Sequence, residues 1–560
     1  MTEIVKGTDL TDREKRLLFW ASFLSLTAAG FGFAFRIAKQ GDYGREFTLT
    51  YQEVGQIMGA SFWPIAVTMI GFSLVVDKIG YKKPMYAAFA LQALSGVLFF
   101  FANGYESLYY ASIFAGLGHG VVEAVINPVC AAVYPKEKTK WLTILHAAWP
   151  AGVAGGTLLI MGANAAGFES WRLHGLWILL PTLAYAIMYG PCRFPTDERV
   201  QAGVPFREML QQVGFLSSAL ASTLIIHELG NALGFASGDW LQTSVIAGLV
   251  FGAVFGFAVK SFGRPLFFAL CLLMIPVATA ELATDGWIQK LMGPALDGLG
   301  ISVGYAIVFS AGVMLILRVF AGSILQHFSP PGLLALSGLL SAVGLAWLSG
   351  AAGPAVFFAF LIYAIGQTYY WPCILGFTAE RYPQGGALTL NTVSAMGLLS
   401  LGVIGAPILG VAFDTSIHGA LNESEPEFVE YATTQNAFLG KTHAAIDPAI
   451  LISSDLDDNG NTILDRDEHV AGLGEDAKAR VVAGWAWMDG LDEADELRVR
   501  ESFRVEDEVA GRSVLMYAVR FPALLVIAFG LIWLWFRSRG GYRPVTLEEL
   551  ERAEEADPGV

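Results

Sequence analysis

The chemistry-bearing stretch of this chain is Gly116-Leu117-Gly118-His119-Gly120-Val121-Val122-Glu123-Ala124-Val125-Ile126-Asn127-Pro128. It lies inside an apolar segment, Ser107 to Val133, long enough to cross a bilayer as a helix. His119, Glu123 and Asn127 are spaced by four and share one helical face. The glycines leave room for a neighbouring helix on another face. A carboxylate in such a segment is costly unless a partner or a water-filled cavity meets it, so Glu123 is a candidate for reversible protonation. The Gly-x-Gly here is no nucleotide fingerprint, because neither a strand nor a turn frames it.

Further polar groups stand in other apolar runs. Arg36 ends the first one, where it either neutralises Glu123, binds an anion or snorkels to the interface. His146, with Trp149 close behind, and Asn391 are candidate cavity liners. Glu281, ahead of Trp287, suits a gate or a solute contact. Tyr363, Gln367, Tyr370 and Trp371 recur at helical spacing as an aromatic stripe with one amide, a surface that suits flat amphipathic solutes. The pair His227-Glu228 reads as a seal between neighbouring helices.

The composition sets these residues in a membrane. Of 560 residues 54% are hydrophobic and only 15% charged, with mean hydropathy +0.52; soluble domains carry nearer a quarter. Fourteen apolar runs predict spanning helices at about 17–37, 54–76, 85–102, 107–133, 142–165, 172–189, 214–235, 240–258, 265–285, 301–318, 331–350, 354–378, 387–413 and 513–536. They divide the chain into a terminus (1–16), a six-helix bundle (17–190), a linker (191–213), two additional helices outside the transport core (214–260), five helices of a second bundle (261–413), an acidic insert (414–512), a last helix (513–537) and a tail (538–560).

Charge gives the orientation. Lys78, Lys82, Lys83, Lys136, Lys138, Lys140, Arg193, Lys260, Arg264, Arg537 and Arg539 fall on one side, against Lys39, Arg45 and Lys290 on the other. The positive-inside rule then makes both termini cytoplasmic and residues 414–512 extracytoplasmic. The net charge of −15 comes entirely from that insert, because Asp414 to Val514 holds 23 acids against 8 bases. The compact loops fit a bacterial inner or plasma membrane. The four cysteines, Cys130, Cys192, Cys271 and Cys373, form no disulfide framework or zinc spacing. Hydrolase triads and phosphate loops are absent, so an enzyme is not expected, and nothing points to nucleic acid. The polar N-terminus makes the first helix an uncleaved signal anchor.

Within the insert, Asp455-Leu456-Asp457-Asp458-Asn459-Gly460-Asn461 places oxygen ligands at positions 1, 3 and 5 and glycine at 6, as in an EF-hand calcium loop. Asp455, Asp457, Asn459, Asn461, Asp465, Asp467 and Glu468 are the candidate ligands for Ca2+, with Asp465, Asp467 or Glu468 closing a lengthened loop. Short helices are expected on either side.

The loop Asp77-Lys78-Ile79-Gly80-Tyr81-Lys82-Lys83 resembles the signature Gly-x-x-x-Asp-Arg/Lys-x-Gly-Arg/Lys-Arg/Lys of the major facilitator superfamily, with Ser73 at the first glycine and a weaker second copy at Gly322 to Pro330. The stretch Gly116 to Pro128 resembles the fourth helix of the fucose/glucose/galactose:proton symporter branch, which carries Glu-x-x-x-Asn-Pro; Ala280 to Ile288 resembles its seventh. The resemblance covers about 17–190, 265–413 and the last helix. It implies an all-α major facilitator fold of two six-helix bundles, here with two extra helices. It also implies alternating access, a sugar-like solute and coupled protons, with Glu123 as the protonation site. The alternatives are an organic anion carrier using Arg36 and a non-transporting calcium-sensing membrane protein.

Overall fold

The computed structural model describes residues 4–47, 49, 51–236, 240–286, 302, 304–439, 441–451, 475–547 and 549. The expected apolar runs form helices. The first bundle comprises α1 (Asp12–Glu46), α2 (Trp63–Ile79), α3 (Lys82–Phe100), α4 (Tyr105–Val133), α5 (Lys138–Leu145) continued by α6 (Ala148–Ala165), and α7 (Trp171–Leu176) continued by α8 (Leu179–Tyr189). The additional pair is α9 (Phe206–Ala232) and α10 (Trp240–Val259). The second bundle holds α11 (Pro265–Gly286), α12 (Gly304–Val319), α13 (Pro330–Gly350), α14 (Ala355–Gln367) continued by α15 (Tyr370–Arg381), and α16 (Gly386–Ser400) continued by α17 (Ala406–Ser424). Among the described residues, 12 helices are long and apolar enough to cross a membrane. Two expected spans fall short of that length: 172–189 breaks between α7 and α8, and 301–318 is described from Gly304.

Small residues let the helices close on one another. A Cβ on Gly116 would stand 2.6 Å from the Ser61 carbonyl, and one on Gly120 2.5 Å from that of Ile65. One face of α4 is thereby seated on α2, and Gly118 seats it on α3. His119, Glu123 and Asn127 are left on the remaining side. In the additional pair, Gly248, Gly252 and Gly256 of α10 lie against Thr223, Ala219 and Phe215 of α9.

The additional pair, expected outside the transport core, packs against it. Helix α9 packs on α2, α11 and α16, and so on both bundles. Its last turn accepts the Tyr109 hydroxyl of α4 at the Ala232 carbonyl, 3.3 Å away. The difference in start explains much of this: the apolar run begins near 214, whereas the helix begins at Phe206 and reaches the linker.

The insert extends the hydrophobic core beyond the helix ends. Helix Pro426–Ala432, an antiparallel hairpin of β1 (Thr433–Phe438) and β2 (Lys441–Ile446), α18 (Glu475–Asp489) and α19 (Glu493–Ala518) bury Phe428, Ile450, Trp485, Met488 and Val499. The hairpin departs from an all-helical expectation, since its polar strands carry no hydrophobic alternation. Glu425, at the start of the helix Pro426–Ala432, ties that helix to α19 by accepting from Arg498 (2.6 Å) and Ser502 (2.9 Å). Helix α19 runs directly into α20 (Arg520–Arg537), so the solvated helix expected at 489–508 and the last span are nearly continuous. The calcium-loop residues Asp455 to Glu468 lie outside the described residues, as does Trp287.

Candidate functional site

A chain of polar side chains crosses the middle of the molecule from one bundle to the other. Glu123, 6% exposed, begins it. Asn127 Nδ2 donates to its Oε2 at 2.7 Å, and His119 Nε2 stands 3.7 Å from Oε1. Asn127 Oδ1 in turn meets His146 Nε2 at 2.9 Å. His119 stacks on Trp149, with ring centroids 5.1 Å apart. Four of the expected residues are thus brought together, although His146 is nineteen positions from Asn127.

The chain continues through a backbone carbonyl. Pro150 has no N–H to donate four residues back, so the His146 carbonyl lacks its helical partner and α5 breaks from α6 there. Arg318, at the end of α12, donates to that carbonyl at 3.0 Å. The same guanidinium donates to the Thr368 carbonyl at 2.7 Å, which Pro372 frees in the same way at the α14–α15 break. Its remaining arm pairs with Glu281 Oε1 at 3.0 Å. Pro128 repeats the device a third time: the Ala124 carbonyl it frees accepts Asn391 Nδ2 at 3.2 Å.

Glu281 stands in a π turn, Thr279–Ala283, that brings it and Asp285 onto one face of α11. Asp285 accepts from Tyr363 at 3.3 Å and from Gln367 at 3.2 Å, and Gln367 also reaches Ser310 at 3.2 Å. Neither Arg318 nor Asp285 was singled out from sequence, because both stand at the ends of apolar runs where a charge reads as interfacial. The signal that points to Arg318 is the recurrence of proline four residues after His146 and Thr368.

Other expectations are corrected. Arg36 does not neutralise Glu123, which Asn127 and His119 hold instead. It is not at the end of its helix either, since α1 runs on to Glu46; its guanidinium folds back towards Gly32 and lines neither cavity described below. Asn391 is a brace between bundles, donating to Ser73 at 2.7 Å, and not a cavity liner. The aromatic stripe does not form one wall. Beyond the break at Thr368, Tyr370 turns to the Ser337 carbonyl (3.5 Å) and Trp371 to Ser394 (3.1 Å), while Tyr363 and Gln367 hold Asp285.

Two adjoining cavities lie beside the chain. The inner chamber, about 110 Å³, is lined by Phe33, Trp149, Glu281, Asp285, Ser310 and Phe360 among others. The outer one, about 610 Å³, shares Phe33, Ile37, Leu282 and Gly286 with it and adds Gln40, Phe62, Trp63 and Glu228. Its walls come from the ends of the helices nearest the insert. Glu228, read as a seal within the additional pair, instead lines this outer cavity.

The opposite end is closed by the linker. Asp197 accepts from Tyr81 (2.9 Å), from the Arg199 backbone (2.9 Å) and from the Ala387 backbone of α16 (3.2 Å). Arg199 pairs with Asp77, and Lys138 with Glu198 at 2.5 Å. Thr139 donates to Glu380 of α15 through its backbone (3.1 Å) and hydroxyl (2.5 Å), and Tyr542 of the tail to the same carboxylate at 2.7 Å. The loop 77–83 ties the helix ends to the linker and neighbouring helix through Asp77, Tyr81 and Lys82. Its turn depends on Gly80, at φ +71°.

Among the described residues no cluster of three or more His, Cys, Asp or Glu is placed to hold a metal ion. No curated protein matches the chain. Among solved structures it is similar to the proton:xylose symporter XylE of E. coli, with TM-score 0.53, 13% identity and coverage of 75% of this chain and 93% of that one. It is also similar to the E. coli fucose:proton symporter FucP, with TM-score 0.50, 15% identity and coverage of 71% and 91%. The human organic anion transporter MFSD10 gives 0.51, 13%, 70% and 93%. At such identities the likeness is one of fold. The model of the Major Facilitator Superfamily matches residues 18–407, and with its helical bundles and membrane-spanning helices the chain belongs to that superfamily.

Proposed function

We propose that the protein is a proton-coupled secondary transporter that moves a small organic solute by alternating access. The observation that carries this reading is the continuous polar chain from Glu123 through Asn127, His146 and Arg318 to Glu281, set between a cavity at one end and a closed linker at the other. The basic loops make the linker end cytoplasmic by the positive-inside rule, so this conformer faces outward.

Glu123 is the proton site in this reading. Its charged form is held by one amide donor and a histidine, with no arginine or lysine paired to it among the described residues. Adding a proton takes the charge from the acceptor that orients Asn127 and weakens that hydrogen bond; Asn127 orients His146, whose carbonyl anchors Arg318. Solute in the chamber acts on the other end of the same chain, at Glu281. Two sites that bias one set of contacts are coupled in both directions. The sugar expectation rests on resemblance, and the solved neighbours carry xylose, fucose or organic anions by name, so none of these solutes is carried over. An anion carrier built on Arg36 has no support from the cavity walls.

The test is uptake into proteoliposomes under an imposed pH gradient, with a pH dye inside and a panel of solutes outside. Glu123→Gln should abolish concentrative uptake and proton movement while exchange of labelled for unlabelled solute persists. Undiminished accumulation by that variant would refute the proton site.

A further inference from the structure

The cavity walls carry one sign of charge. Glu281 and Asp285 line the chamber and Glu228 the outer cavity, and no lysine or arginine stands among the described lining residues of either. Arg318 reaches only one oxygen of Glu281. The other, Oε2, belongs to a side chain 4% exposed and accepts from no side chain among the described residues. Among the described residues the side chains that donate to Asp285 are the neutral Tyr363 and Gln367. Buried carboxylate oxygens are normally met by donors, so one left open at a cavity wall is fitted to a donor that arrives from outside.

The rest of the wall is aromatic. Phe33 lies 5.3 Å from Trp149 and 6.0 Å from Phe62, centroid to centroid, and both neighbours face the same connected space. Phe360 lines the chamber and Trp63 the outer cavity. Aromatic faces attract cations and pack against apolar bodies. Neutral polar side chains, which a polyol would need in number, are few: Ser310 in the chamber and Gln40 outside. A carboxylate solute would meet three carboxylates and no facing cation among the described residues.

We propose that the solute is an organic cation, a protonated amine on an apolar or aromatic body. Its ammonium donates to Glu281 Oε2 and Asp285, and its body lies against Phe33 and Trp149. Glu228, brought by the additional helix pair, selects for the same charge at the mouth. The proposal rests on the transporter reading and adds the class of solute.

The experiment is binding to the full-length protein in detergent, measured by calorimetry and by tryptophan fluorescence, with phenethylammonium, 2-phenylethanol, phenylacetate and xylose as probes. Phenethylammonium should bind about tenfold or more tightly than the isosteric alcohol, and phenylacetate and xylose should not displace it. Asp285→Asn should lower ammonium affinity about tenfold and narrow the gap to the alcohol. Glu228→Gln, which has no hydrogen bond to the Arg318 network, should weaken it about two- to fivefold at unchanged thermal stability. Equal affinity for ammonium and alcohol, tighter binding of xylose, or an ammonium affinity untouched by both variants would overturn the proposal. Ammonium binding without uptake into proteoliposomes would sink the transporter reading and leave the site. Uptake of some other solute without ammonium binding would do the reverse.

Discussion

Arg318 of the second bundle donates to the backbone carbonyl of His146 in the first, at 3.0 Å, and it can do so because Pro150 leaves that carbonyl without a helical donor. The same side chain binds the Thr368 carbonyl and Glu281, so one guanidinium joins two helix breaks to a carboxylate. Removing it strands charge. Arg318→Met should destabilise the fold by about 3–5 kcal/mol, because Glu281 is left buried and unpaired. The double variant with Glu281→Gln should recover much of that loss. Thermal unfolding of the two single variants and the double closes the cycle.

Pro150→Ala tests the carbonyl itself. An N–H returned to position 150 competes with Arg318 for the His146 oxygen, and a hydrogen bond to a charged group is worth about 1.5–3 kcal/mol. The expected result is a slower proton-driven uptake with thermal stability held or raised. A variant indistinguishable from wild type in uptake would show that the tie carries no coupling.

Asn127 is the link whose loss separates the two polar groups. Its amide donates to Glu123 and its oxygen meets His146. Asn127→Leu, close in volume, should abolish proton coupling while solute binding stays within about twofold, because it touches no cavity wall. Equal loss of binding and coupling would point to collapse of α4 instead.

The legible part of this site was the part with a helical period. His119, Glu123 and Asn127 announce themselves at intervals of four in an apolar run, and the two-bundle fold follows from the runs themselves. What periodicity does not carry is rotation at a helix break. Tyr370 and Trp371 continue the spacing of Tyr363 and Gln367, yet the break at Thr368 turns them to other helices. Arg318 and Asp285 read as interfacial because apolar runs end on them, whereas their side chains meet polar partners inside the bundle. Glu228 was hidden differently. Nothing in α9 alone says that it packs against both bundles, so its place on a cavity wall is a fact of tertiary contact.

The insert carries the expected calcium loop, which binding to the ion would test. The oxygen spacing from Asp455 to Asn461 predicts a cation loop, and the neighbouring Trp485 and Trp487 supply a signal, the latter stacked on Tyr431 at 5.4 Å. About 1 mM calcium, the affinity range of extracellular modules, should change tryptophan emission and raise the unfolding temperature, and chelation should reverse both. Asp455→Asn combined with Asp457→Asn should remove the response. No response in the wild-type protein up to several times that concentration would make the loop an acidic turn.

The closed end offers a test with a defined sign. Burial pushes the Glu198 carboxyl above its ordinary 4.5, and the Lys138 ammonium beside it offsets this only in part. A carboxyl whose folded pKa is raised favours folding most in its protonated form. Its contribution is therefore full below pH 4.5 and declines as pH rises through the raised value. At neutral pH the ionised Glu198 is a net cost, and Glu198→Gln should leave stability unchanged or raised. Lys138→Met should lower it, because the half-buried carboxylate then loses its cation. The difference between wild type and Glu198→Gln should shrink as the pH is brought down towards 4.5. Melting curves across that range measure it, and a Glu198→Gln variant that unfolds well below wild type at neutral pH would mean that the pair holds the linker end shut by attraction, not merely by geometry.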